Sequence, residues 1–214
     1  MSELWPWLAL LGLGAYHGIN PGMGWLFAVA LGMQEKHRRA VLRAIPPIAL
    51  GHLLSVGVVV LVLWLAHASL PEKALRYSAA AILFGFGLYR LVRSRHPRWV
   101  GMRVGFRDLT LWSFLMASAH GAGLMLVPIL LKSTANSGHS AHLQHMGAHD
   151  VSPGSLYWLM AVLVHTAGYL IVATVIALLV FEKFGLAMLR HAWFNLDLVW
   201  VIALMVSGLL ILVI

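Results

Sequence analysis

Four histidines interrupt segments that are otherwise apolar. They are His17 in Ala15-Tyr16-His17-Gly18-Ile19-Asn20-Pro21, His52 in Gly51-His52-Leu53-Leu54-Ser55, His120 in Ser118-Ala119-His120-Gly121-Ala122-Gly123 and His165 in Val164-His165-Thr166-Ala167-Gly168. An ionisable side chain is costly inside a bilayer unless it faces a polar cavity or a partner, so each is a candidate for function. Neutral imidazole ligates nickel, cobalt, zinc or copper, and it can equally carry a proton or bond a neighbouring helix. Asn20-Pro21-Gly22 follows His17, and Pro21 has no N–H to give, so free carbonyls and a polar Asn20 side chain are expected beside that ring. Gly14, Gly18 and Gly22 form a small-residue stripe that permits close helix packing. Met23 and Met125 could add thioether contacts, although lipid-facing filler is the plainer account of both.

A second group of histidines follows Lys132-Ser133-Thr134-Ala135-Asn136-Ser137-Gly138. His139, His142, His145 and His149 precede Asp150, at spacings that put all four on one face if the segment is helical. Two or more could then share a metal ion and form a capture patch. A solvated loop or a pH-responsive loop are the other readings. Asp197 is the only carboxylate expected inside a span, near its end, where a capping or structural role suits it better than proton coupling.

The elements that must position these residues follow from composition. Of the 214 residues 61% are apolar and 10% charged, with a mean hydropathy of +0.86, whereas soluble domains carry about 25% charged residues. The absence of cysteine excludes disulfide relays, thiolate metal sites and thiol nucleophiles. Apolar runs predict an all-α polytopic membrane protein with six spans, at Trp5 to Leu31, Pro46 to Ala68, Leu75 to Val92, Leu109 to Leu131, Ser155 to Phe181 and Ala192 to Ile214. The first and fifth are long enough to be tilted or broken. The first has no basic residue before it and reads as an uncleaved span.

The net charge of +8 would suggest a nucleic-acid partner in a soluble protein, but here the bilayer explains it and no nucleic-acid partner is expected. Lys36, Arg38, Arg39 and Arg43 follow the first span, Arg90, Arg93, Arg95, Arg98, Arg103 and Arg107 cluster at the end of the third and beyond it, and Lys183 and Arg190 follow the fifth. Only Lys73, Arg76 and Lys132 fall on the other side. The positive-inside rule then puts these three connections in the cytoplasm of a cell inner membrane and both termini outside.

His17-Gly18 and His120-Gly121 begin corresponding patches, and His52 and His165 follow them after 35 and 45 residues. This predicts two inverted three-helix repeats, residues 1–108 and 109–214, the second carrying a His-rich external loop at 132–153. The substrate site is expected at the midplane, from His17, Asn20, His52, His120 and His165, with His17 and His120 approaching each other. His17, His120 and the four loop histidines are the candidate metal ligands.

His17-Gly18-Ile19-Asn20-Pro21-Gly22-Met23-Gly24-Trp25, with the second patch at His120-Gly121, resembles the small transporters of the lysine-exporter superfamily. The resemblance is nearest the branch of nickel/cobalt permeases and urease-accessory-type membrane proteins. Nickel/cobalt members carry His-x4-Asp-His with Pro before the Asp; His17 and Pro21 match, while Gly22 and Met23 stand in place of Asp and His. The resemblance therefore implies transport and leaves the cargo open. A secondary transporter of a small cation, in particular a divalent transition metal, is the leading expectation. An exporter of a small organic solute such as an amino acid, and a subunit delivering metal to a maturing enzyme, are the alternatives. No Ser-His or carboxylate pair stands at a recognisable spacing, so an enzyme is not expected, nor is a tightly bound cofactor. The bilayer is the expected partner, and oligomeric state is left open.

Overall fold

Pro21 decides how the first apolar run folds. A residue before proline is pushed out of the helical region, and Asn20 is extended at φ −69°, ψ 119°, ending α1 (Trp5–Ile19). The Asn20 side chain accepts a 2.9 Å bond from the Gly22 N–H, a short 3-10 turn spans Pro21–Met23, and Gly24 takes φ 122°, which suits only glycine. α2 (Trp25–Glu35) then continues the run. These elements belong to a computed structural model that describes residues 4–92, 105–138, 153–184 and 196–213, all of them helix, turn or coil with no strand.

The left-handed Lys36 (φ 52°) reverses the chain, and the His37 Nδ1 accepts from the Arg39 N–H at 3.0 Å to cap α3 (Arg38–Ser69). α3 starts eight residues before the boundary expected at Pro46 and carries Pro46 and Pro47 inside it. Ala40, Val41 and Ala44 are buried in that added segment, which packs on α2, and this burial outweighs the bonds the prolines cannot donate. At about 1.5 Å per residue its 32 residues reach roughly 48 Å, more than a hydrocarbon core of about 30 Å.

α4 (Glu72–Val92) and α5 (Phe106–Ala119) follow, the latter opened by the Asp108 carboxylate, which accepts from the Gly105 N–H at 2.9 Å. The fourth apolar run is also divided, at His120 to Leu126, before α6 (Val127–Gly138). Helix extends through Gly138, so part of the segment read as loop from Lys132 is helical. α7 (Pro153–Leu179) passes into a wider turn at Val180–Phe184, where Glu182 lies 3.4 Å from Arg38, and α8 (Leu196–Val213) ends the described chain.

The most extensive packing pairs α1 with α7, α3 with α5, and α4 with α8. A Cβ on Gly14 would sit on the His165 carbonyl oxygen, so the α1–α7 approach requires glycine there. In the α4–α8 pair, Arg76 donates from Nε to the Ile211 carbonyl at 2.7 Å and from Nη2 to that of Leu212 at 3.0 Å. The guanidinium thereby satisfies carbonyls that the end of α8 leaves open, at the negative end of its dipole.

Three helices among the described residues are long and apolar enough to cross a membrane: Arg38–Ser69, Lys73–Val92 and Leu156–Lys183. The pair Phe106–Ala119 and Leu124–Lys132, bent by 47°, makes a fourth if it forms one crossing. The first run falls below that measure because its break leaves helices of 15 and 11 residues, and α8 offers the shorter apolar stretch Val201–Leu212. Leu54, Val58, Leu61, Val62 and Leu65 on α3 and Leu159, Leu163 and Ile171 on α7 are exposed, as the outer surface of a membrane protein requires.

Candidate functional site

His17 stands in the last turn of α1 and His120 caps α5, each just before its helix breaks. Their rings are held alike. His17 Nδ1 donates to the Leu13 carbonyl at 2.8 Å and His120 Nδ1 to that of Met116 at 2.7 Å, in both cases four residues back. A carbonyl only accepts, so in each neutral ring Nδ1 carries the hydrogen and Nε2 the lone pair. His165, within α7, donates from Nδ1 to the Leu10 carbonyl of α1 at 3.3 Å. His52 lies in α3. All four are at most 1% exposed.

The rings of His17, His52 and His165 meet. The centroids of His17 and His165 are 4.9 Å apart, those of His17 and His52 5.7 Å, and those of His52 and His165 5.5 Å. Imidazoles bound tetrahedrally to one ion with N–metal distances near 2 Å have centroids about 5 Å apart, so the spacing suits a shared ion. Their orientation does not. An ion must lie in the plane of each ring that binds it, whereas the His52 and His165 rings are stacked with an interplanar angle of 17°. Among the described residues no group of three or more His, Asp or Glu is placed to hold a metal ion in this arrangement.

His120 stands at the other helix break. Its Cε1 lies 3.9 Å from where a Cβ on Gly22 would stand, beside the Asn20 side chain and the Met116 methyl. Asn20 is buried and spends its side-chain oxygen on the turn. Met23 and Met125 are buried rather than lipid-facing, because each follows a helix break that turns the chain into the bundle. His139, His142, His145 and His149 lie outside the described residues. Asp197 lies in the first turn of α8.

Tyr169, four residues after His165 on the same helix face, carries no mark in the sequence beyond that spacing. Its ring stacks on His52 at 3.9 Å and 14°, and its hydroxyl donates to the Met23 carbonyl at 2.6 Å. The Trp25 indole donates to the Ile19 carbonyl at 3.1 Å, so two aromatic side chains satisfy backbone that the first break leaves open. Ser55 and Ser118 join α3 to α5 through a 2.9 Å hydroxyl pair, and Ser113 donates to the Ile48 carbonyl at 2.7 Å.

The cluster keeps unused polar capacity. Both ring nitrogens of His52, Nε2 of His165 and the Thr166 hydroxyl are buried and form no hydrogen bond among the described residues. An unsatisfied buried polar atom costs about 1–3 kcal/mol, which a passing ligand could recover. The chain matches no protein-family model, and no curated protein or solved structure matches it.

Proposed function

We propose that this chain is a secondary membrane transporter of a small cation, with a transition-metal ion such as nickel, cobalt or zinc as cargo. The observation that carries the reading is the buried trio His17, His52 and His165 beside a broken helix, at a spacing that suits one ion once the stacked His52 ring turns toward it, with the Nδ1 atoms of His17 and His165 held by carbonyls. Fixing Nδ1 leaves Nε2 as the ligand atom and orients the ring, which is how proteins present imidazole to a metal. Among the described residues no carboxylate is buried with the trio, a donor set suited to transition metals rather than to magnesium or calcium. His120 and Asn20, at the neighbouring break, complete the proposed central site, and the four loop histidines remain the proposed outer capture patch.

In this reading the chain crosses the membrane six times as two inverted three-helix repeats, residues 1–108 and 109–214, with both termini outside an inner membrane. The packing pattern supports it. Exchanging the halves turns the α1–α7 pair into α5–α3 and returns α4–α8 to itself, as a two-fold relation within the membrane plane requires. The sequence resemblance to lysine-exporter-type transporters agrees with this reading.

The stacking of His52 on His165 and Tyr169 favours a second reading, export of a small organic solute, in which unpartnered imidazole nitrogens bond the solute directly. Flux into proteoliposomes, measured against cobalt, nickel, zinc and a panel of amino acids, separates the two. Under the metal reading His17→Ala and His17→Asn both lower metal flux on the order of 100-fold or more, since Asn is a poor transition-metal ligand. Amino-acid flux that survives His17→Asn overturns the metal reading.

A further inference from the structure

Two of the three clustered imidazoles are set by hydrogen bonds and the third by stacking. Nδ1 of His17 is bonded to the Leu13 carbonyl at 2.8 Å and Nδ1 of His165 to that of Leu10 at 3.3 Å, so the Nε2 atoms of both rings remain for a ligand. Neither nitrogen of His52 forms a hydrogen bond among the described residues. Its ring instead lies on the phenol of Tyr169, at 3.9 Å and 14°, and runs at 17° to the ring of His165, 5.5 Å away. Tyr169 follows His165 by one helical turn, so α7 presents both flat surfaces side by side.

Of the two surfaces the phenol is nearer, and it is held at both ends. Tyr169 is fully buried in α7, its hydroxyl donates to the Met23 carbonyl at 2.6 Å, and the Ser113 side chain of α5 interacts with it. The plane of Tyr169 therefore sets the plane of His52. That plane is the wrong one for a shared ion, because imidazole lone pairs lie in the ring plane and the His52 ring runs beside that of His165. The rest of the geometry suits an ion. Centroid spacings of 4.9 to 5.7 Å match rings around one metal, and His17 stands at 71° to His52 and 80° to His165. Only the tilt of His52 separates this arrangement from a three-imidazole site.

We propose that Tyr169 is an internal competitor of the cargo: its ring holds His52 away from the ion, and the cargo binds by drawing His52 off the phenol. The inference deepens the transition-metal reading and rests on it. With cargo bound, His52 joins Nε2 of His17 and of His165 on one ion; when the ion leaves, the ring returns to Tyr169. The phenol does not touch the ion and acts as a positioning residue. Its effect is to lower the apparent affinity by the fraction of chains in which His52 has turned, which favours release of an ion that three buried imidazoles would otherwise retain.

Cobalt(II) binding to the purified full chain in lipid, read by visible absorption and equilibrium dialysis, tests this as a double-mutant cycle. Tyr169→Leu removes the flat ring and should tighten cobalt binding by about 3- to 10-fold, the worth of an aromatic stacking pair. Tyr169→Phe keeps the ring and should stay within about 2-fold of the unsubstituted chain. In the His52→Ala background Tyr169→Leu should change the remaining affinity by less than about 2-fold, since no ring is left to release. Weaker or unchanged binding in Tyr169→Leu, or an equal gain without His52, overturns the inference and leaves the metal reading standing. If Tyr169→Leu does not insert, Tyr169→Met takes its place.

The His52 ring also reports on itself. In spectra of ring-labelled histidine, the His52 signals, identified by their loss in His52→Ala, should lie upfield in the ion-free chain because the phenol shields them. They should move downfield as diamagnetic zinc binds, and should already be displaced without zinc in Tyr169→Leu. Bound zinc with the His52 signals unmoved means that the ring stays on the phenol, and overturns the inference. If neither cobalt nor zinc binds any of these variants, the metal reading fails, and the same cycle is run with the amino acid that the chain carries. A gain in Tyr169→Leu that requires His52 then keeps the competitor, and no such gain removes it.

Discussion

Tyr169 donates a 2.6 Å hydrogen bond to the backbone carbonyl of Met23, a residue 146 positions away in the chain. Proline at position 21 and the turn after it leave backbone carbonyls without helical donors, and the phenol reaches one of them from α7. The same ring lies flat on His52 of α3. One side chain thus ties the helix break to the imidazole cluster.

Tyr169→Phe keeps the stacking and removes the donor. Leaving the buried Met23 carbonyl unsatisfied should cost about 1–3 kcal/mol. A lower unfolding midpoint in detergent, with amide exchange accelerated selectively across residues 22–26, is the expected result. Unaltered exchange there would show that the break does not depend on this bond.

Gly14→Ala should be more disruptive than its one added methyl suggests, because the Cβ falls on the His165 carbonyl and forces α1 from α7. Overpacking of this kind costs about 1–3 kcal/mol and should displace the His17–His165 contact. Gly12→Ala on the same helix meets nothing within 4 Å. It should instead gain up to about 1 kcal/mol from helix propensity. Parallel thermal unfolding of the two variants tests the pair; equal effects would mean that the crossing is looser than described.

Reporter fusions at the two ends should locate both termini outside the cytoplasm. Basic residues cluster after the first, third and fifth apolar runs, and a polytopic chain keeps such connections in the cytoplasm. Cytoplasmic activity of an enzyme reporter at either end contradicts it.

Replacing His139, His142, His145 and His149 together by Ala should raise the cobalt concentration needed for half-maximal flux while leaving the maximal rate nearly unchanged. A capture patch delivers the ion to the site but does not move it across the bilayer. An unchanged concentration dependence assigns the segment to ordinary solvated chain.

The four histidines set in apolar runs and the break at Pro21 were legible as a linear text. A titratable ring in an apolar run is costly wherever the helix turns it, and proline removes a donor in every context. These are properties of a residue and its near neighbours, so local sequence is enough to read them. The same text misplaced the start of α3, because Pro46 and Pro47 speak locally against helix while burial of Ala40, Val41 and Ala44 decides for it. That the rings of His17, His52 and His165 meet belongs to the tertiary structure alone, as does the part taken by Tyr169. That outcome depends on how closely α1 approaches α7 at Gly14 and how α3 and α5 lock through Ser55 and Ser118, and each of these contacts joins residues far apart in the chain. Helix rotation about its own axis aims an imidazole, and only the neighbouring helices fix that rotation.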